Sequence, residues 1–104
     1  MPSNCRRYTS ASSLHDARSL GAVLGRHGIR VNAIEPGAID TPMSAALLDA
    51  PDVMKYYLER IALGRIGKPE EIAGAIAFML SNDASYVTSA TLLVDAGFIV
   101  NAEL

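Results

Sequence analysis

Val31, Ala33 and Ile34 supply the apolar, β-branched bulk of a short run that stops at Pro36-Gly37. A run of that length predicts a buried strand over Ile29–Glu35. Pro36 cannot donate to a ladder, and Gly37 gives access to backbone angles that other residues avoid. Upstream, Leu14, Ala17, Leu20, Gly21 and Leu24 recur at helical spacing. They predict a helix that starts near Ser12 or Ser13, either of which could cap it, and ends near Gly25. Helix, turn and apolar strand in that order make the back half of a βαβ unit.

Downstream, Met43–Asp49 predicts a short helix. Pro51 suits the first turn of another, carried by Val53, Tyr56, Tyr57, Arg60 and Ile61. Pro69-Glu70-Glu71 is a strong helix start, with φ fixed at Pro69 and two carboxylates at the positive end of the dipole. Ile72, Ile76, Met79 and Leu80 give that helix a broad apolar face. Thr91–Val94 predicts a second strand, and Asp95-Ala96-Gly97 turns out of it. Residues 1–11 are small and polar without a period, so they read as a loose N-terminal segment, with one partial α/β domain over 12–104. Two parallel strands are too few for a sheet that stands alone, and their edges are apolar. The expected fold is therefore α/β, the C-terminal part of a Rossmann-type doubly wound parallel sheet, with two strands and about four helices, incomplete.

The chain has 104 residues, half of them apolar and 19% charged, which is globular rather than disordered composition. A net charge of −2 gives no electrostatic case for nucleic acid or an anionic membrane. No apolar run reaches the length of a membrane span. A lone cysteine, Cys5, makes no internal disulfide and fits a reducing cytoplasm. His15 and His27 stand apart, and no cluster has metal-ligand spacing.

The strand's exit is the most chemical part of the chain. In open parallel sheets ligands sit beyond the carboxyl ends of strands, so Pro36-Gly37-x-Ile39-x-Thr41 has the layout of a ligand loop. Asn32, inside the strand, reads as a satisfied polar side chain tying two segments together. No glycine-rich strand-to-helix turn of the phosphate-cradling kind follows any predicted strand.

The stretches LGRHGIRVNAIEPGAIDTPM and LGRIGKPEEIAGAIAFMLSNDASYVTSATLLVDAG, in this order, resemble the short-chain dehydrogenase/reductase family. The resemblance runs over about residues 19–98 and matches the C-terminal part of that family. It implies NAD or NADP as cofactor, and oxidation of alcohols or reduction of carbonyls. By the resemblance, Pro36 and Gly37 let the backbone approach the nicotinamide. Ile39 would hold the carboxamide through its backbone N–H and C=O. Thr41 would offer a hydroxyl to the pyrophosphate or the carboxamide.

Met43–Leu63 corresponds to the family's substrate lid, with Met43, Leu47, Met54, Tyr56 and Tyr57 as pocket residues. Residues 69–80 and 91–94 correspond to a two-fold interface, implying a homo-oligomer or docking onto an intact family member. The family's proton donor is a tyrosine with a lysine four residues on, where the ammonium favours tyrosinate. Here Tyr8 is followed at that spacing by Ser12, and the first lysine is Lys55, so no catalytic residue is assigned. The expectation is a truncated family member without turnover of its own, or alternatively a non-catalytic subunit or interaction module. Two departures bear on the backbone. Ser89 and Ala96 stand where the family usually has glycine, and positive φ at either would cost stability.

Overall fold

The computed structural model describes residues 6–10 and 14–102. The elements run β1 (Arg6–Ser10), α1 (Leu14–Leu24), β2 (Ile29–Pro36), α2 (Ala45–Leu48), α3 (Pro51–Arg60), α4 (Pro69–Leu80), β3 (Thr91–Val94) and α5 (Phe98–Ala102). The α/β class read from the sequence stands. The three strands form one sheet in the order β1-β2-β3.

The strand count is a correction. Arg6–Ser10 is a strand, where the sequence reading had a loose segment, and it pairs parallel with β2 from Arg6↔Ile29 to Ser10↔Ala33. RRYTS has no apolar run to announce it. Its pairing is carried by backbone groups, which no side-chain pattern reports. The proposed caps of α1, Ser12 and Ser13, lie outside the described residues.

By its contacts the chain divides into two compact units, Met1–Glu35 with Gly74–Leu93, and Pro36–Ala73 with Val94–Leu104. The sequence reading had one domain over 12–104.

In the first unit, β2 is buried almost end to end, as an apolar strand between covered faces must be. Ala17, Val31 and Ala33 form its core cluster, with Leu24 and Ile29 packed against them. Two polar side chains are buried with them, Arg30 at 6% and Asn32 at 1% exposure. Asn32 does what its place in the strand predicts. Its Nδ2 donates to the Val87 carbonyl at 3.0 Å, and its Oδ1 accepts the Ala90 N–H at 3.0 Å. Arg30 was not anticipated. Its guanidinium donates to the carbonyls of Met79 (3.0 Å), Val87 (3.1 Å) and Ser81 (3.2 Å). The Met79 carbonyl belongs to the last turn of α4 and that of Ser81 directly follows the helix, where acceptors are left unpaired and the dipole favours a cation.

The residues flanking β3 carry strain. Ser89 (φ 62°) and Ala96 (φ 55°) are the non-glycine residues with positive φ among those described. Both are positions where the family resemblance put glycine. Ser89 is held by its own bonds, N–H to the Val31 carbonyl at 2.7 Å and Oγ to the Arg18 carbonyl at 3.1 Å. Ala96 has no side-chain bond, though its carbonyl accepts the Leu63 N–H at 3.2 Å. Left-handed backbone costs a non-glycine residue about 1–2 kcal/mol, and glycine's looser unfolded chain returns about 0.5–1 of that. Ala96→Gly is therefore expected to stabilise by about 1 kcal/mol, a rise of several degrees in Tm. Thermal unfolding followed by circular dichroism checks it, and an unchanged or lower Tm contradicts it.

Candidate functional site

The second unit is built around the loop that leaves β2. Gly37 donates its N–H to the Val94 carbonyl at 3.0 Å, which continues the ladder past the end of β2. Its backbone needs no glycine-only angle, since the positive-φ glycines described are Gly28, Gly64 and Gly97. This corrects the sequence reading. The physical reason for glycine is close approach, because a Cβ here would lie 2.6 Å from Asp95 Cβ and 2.7 Å from Asp95 Cα.

Ile39 makes a parallel bridge with Gly67. Asp40 donates to the Gly67 carbonyl at 2.9 Å, and Gly67 donates to the Ala38 carbonyl at 3.0 Å. In that pattern the amide and carbonyl of Ile39 itself point away from Gly67. The Ile39 carbonyl accepts Ser44 Oγ–H at 2.7 Å. Among the described residues, the Ile39 N–H has no acceptor. Gly67 is small for the same reason as Gly37, since a Cβ would meet Ile39 Cδ1 at 2.7 Å.

Thr41 and Ser44 bond reciprocally. Thr41 N–H donates to Ser44 Oγ at 3.0 Å, and Ser44 N–H donates to Thr41 Oγ1 at 3.2 Å. Thr41 and Ser44 thus close a reciprocally bonded turn immediately before α2, whose N-cap is Ser44. Of the anticipated cofactor residues, Pro36, Gly37, Ile39 and Thr41 all line one hollow of about 320 Å³, with Ala38, Ser44, Leu47, Leu48 and Tyr57. Its lining is largely apolar, with Thr41 and Ser44 as its hydroxyl-bearing residues.

The lid residues part company. Leu47 and Tyr57 line this hollow, whereas Met54 faces another beside Asp40, Ala45 and Lys68. Met43 is 95% exposed. Tyr56 packs edge-on against Tyr57, with the Arg60 guanidinium 3.9 Å from its ring centroid. Phe98 of α5 joins the aromatic group, and Asn101 Nδ2 ties α5 to the Arg60 carbonyl at 2.8 Å.

Behind the loop, Arg65 grips Glu71 with two bonds of 2.7 Å. Glu71 also accepts the Lys68 N–H at 3.0 Å, the reach-back of a helix cap at the start of α4. The hydrogen bonds from Arg65, then that from Lys68, hold the Glu71 carboxyl down at about 2. A depressed carboxylate contributes stability above the usual carboxylate range and loses it as pH falls toward the folded value. Wild-type stability is expected to decline between about pH 4.5 and 2, and Glu71→Gln to flatten that decline. Urea midpoints of both proteins at near-neutral and acid pH check it, and parallel curves contradict it. Among the described residues no group of His, Cys, Asp or Glu could hold a metal ion, and no helix is long and apolar enough to cross a membrane.

Comparison with known proteins puts this geometry in context. Residues 9–99 match the family model described as enoyl-(acyl carrier protein) reductase. The chain is 44% identical over 95 residues to L-rhamnose-1-dehydrogenase of Scheffersomyces stipitis, covering 91% of this chain and 37% of that protein. It is also 44% identical over 86 residues to L-rhamnose 1-dehydrogenase (NAD(P)(+)) of Sphingomonas, covering 83% of this chain and 34% of that protein. Among solved structures, a short-chain type dehydrogenase/reductase from Mycobacterium ulcerans superposes with a TM-score of 0.82 at 33% identity, over 84% of this chain and 32% of that one. The chain thus spans about a third of the length of the relatives it matches.

Proposed function

Because this chain belongs to the short-chain dehydrogenase/reductase family, we propose that its 104 residues are the nicotinamide-facing part of an NAD(P)-dependent oxidoreductase acting on a sugar or polyol alcohol. The observation that carries this is the Ile39 N–H, which has no acceptor among the described residues, in a residue that lines a hollow beyond the carboxyl end of β2. Ile39 is half-buried, so its amide is open to a ligand or to water as acceptor. The residues fit the nicotinamide end of the cofactor: an amide donor at Ile39, a hydroxyl at Thr41 and apolar walls from Pro36, Leu47 and Tyr57. When bound, the nicotinamide ring supplies or accepts the hydride. Pro36 and Gly37 keep the backbone close to Asp95 and so fix where the Ile39 amide is presented. The substrate class follows the two relatives named for L-rhamnose oxidation.

Turnover is not expected from these residues by themselves. Tyr8 has Ser12 where a lysine would lower its pKa, and no glycine-rich turn cradles the pyrophosphate. Titration of the purified chain with NADH, followed by nicotinamide fluorescence, is expected to show weak, millimolar binding. Mixed with L-rhamnose and NAD or NADP, it should reduce neither. Absence of any binding at millimolar NADH contradicts the cofactor reading, and measurable reduction contradicts the inactivity.

A second reading has its own support. Phe78 on α4 is 47% exposed and Leu93 on β3 is 37% exposed, apolar groups that suit pairing with another copy or an intact relative through residues 69–80 and 91–94. Sedimentation at micromolar concentration distinguishes this from a monomer.

A further inference from the structure

We propose that Asn101 and Phe98 are positioning residues. From α5 they hold the last turn of α3, and with it the Tyr57 side of the ligand hollow, against the loop that leaves β2. The proposal deepens the nicotinamide reading and rests on it for the identity of the ligand.

The segment after β3 meets the end of α3 at four points. The Ala96 carbonyl accepts the Leu63 N–H at 3.2 Å. Gly97 stands so close to Ala62 that a Cβ on it would lie 2.7 Å from the Ala62 Cβ. The Phe98 ring packs on that of Tyr57 with centroids 5.5 Å apart. Asn101 Nδ2 donates to the Arg60 carbonyl at 2.8 Å. This last bond meets a need, because Arg60 ends α3 and the final carbonyls of a helix lack partners within it. The Tyr57 carbonyl takes the Ile61 N–H at 2.8 Å, and the Arg60 guanidinium reaches the Tyr56 carbonyl at 3.1 Å. The Arg60 carbonyl is left to Asn101.

The other end of the segment is anchored on the ligand loop. Asp95 is the residue against which Gly37 packs. Its Oδ1 accepts the Gly97 N–H and its Oδ2 the Ile99 N–H, both at 3.0 Å, so the carboxylate fixes the start of α5. Asn101 N–H closes the turn on the Gly97 carbonyl at 2.9 Å. Asp95–Asn101 is thus a strap from the loop to α3. Tyr57 lines the hollow with Pro36, Gly37, Ile39 and Thr41. Its ring is flanked by Tyr56, edge-on at 5.5 Å, and by Phe98. A ring held between two others stands where they stand, so α3 and Phe98 together place this side of the hollow.

The test uses the ¹⁵N- and ¹³C-labelled chain with Asn101→Ala, Asn101→Asp and Phe98→Leu. Asn101→Ala deletes the donor. The Ile61, Leu63 and Gly64 amides, all bonded around the end of α3, should exchange about fivefold faster, the worth of one hydrogen bond. Tyr57 ring resonances should move, and the amides of β2, in the other compact unit, should keep their wild-type rates. Asn101→Asp keeps the shape but puts an oxygen where the donor was, so it should do at least as much as alanine. NADH binding should weaken about fivefold in Asn101→Ala and in Phe98→Leu.

Unmoved Tyr57 resonances and unchanged exchange at the end of α3 overturn the proposal. So does exchange that quickens equally in β2, which marks a general stabiliser, and so does unchanged NADH affinity in a variant whose Tyr57 has moved. The wild type supplies an arm that needs no variant to fold. Overhauser contacts between the Phe98 and Tyr57 rings and protected Asn101 Nδ2 protons are expected, and their absence overturns the strap. A wild type that binds no NADH overturns the nicotinamide reading, and the resonances and exchange rates still decide the positioning.

Discussion

Arg30→Met is expected to destabilise the chain by about 3 kcal/mol in urea unfolding. Methionine keeps the unbranched apolar stem and removes every donor. The carbonyls of Met79, Ser81 and Val87 then lose the guanidinium that they share. Hydrogen bonds to a charged group are each worth about 1.5–3 kcal/mol, and relief from burying the guanidinium returns part of the total. Arg30→Lys should fall between wild type and Met, because one ammonium cannot span three carbonyls as a planar fork does. Amide exchange should quicken first at the C-terminal turn of α4. A loss below about 1 kcal/mol for Met would mean that the buried guanidinium is merely tolerated.

Gly37→Ala is the second large effect, again about 3 kcal/mol. The added methyl group would lie 2.6–2.7 Å from Asp95 Cβ and Cα. One of these is a backbone atom, and it cannot rotate aside. Relief requires the loop and the Asp95 turn to separate, which breaks the Gly37 N–H bond to the Val94 carbonyl. Asp95 is itself fixed, with Oδ1 accepting the Gly97 N–H and Oδ2 the Ile99 N–H, both at 3.0 Å. The same substitution should move the Ile39 amide and weaken NADH binding. Wild-type stability in Gly37→Ala would show that the approach is looser than these distances require.

Much of this was legible in the sequence, for reasons particular to each element. β2 was readable because burial on both faces leaves a nearly continuous apolar run. The start of α4 was readable because proline and two carboxylates serve only a helix N-terminus there. Ser89 and Ala96 stood out against the glycines usual in the family, and both have positive φ. β1 was invisible because its five residues pair through their backbone. Arg30 was missed because a cation next to His27-Gly28-Ile29 reads as a strand edge. Its partners lie 49 to 57 residues away. The loop after β2 was located, but the conformational reason for Gly37 was misread, since only the fold brings Asp95 against it. Ser44 carried a signal that could have been used, the spacing to Thr41 that lets two hydroxyl side chains close a local turn.

The central claim is that the loop from Pro36 to Thr41 presents the Ile39 amide, which has no acceptor among the described residues, to the nicotinamide end of a dinucleotide. Intermolecular nuclear Overhauser effects between NADH and the labelled chain test it most directly. Cross-peaks from the nicotinamide ring protons to the Ile39 and Thr41 amides are the predicted result. Cross-peaks confined to residues outside Pro36–Ser44 would contradict it.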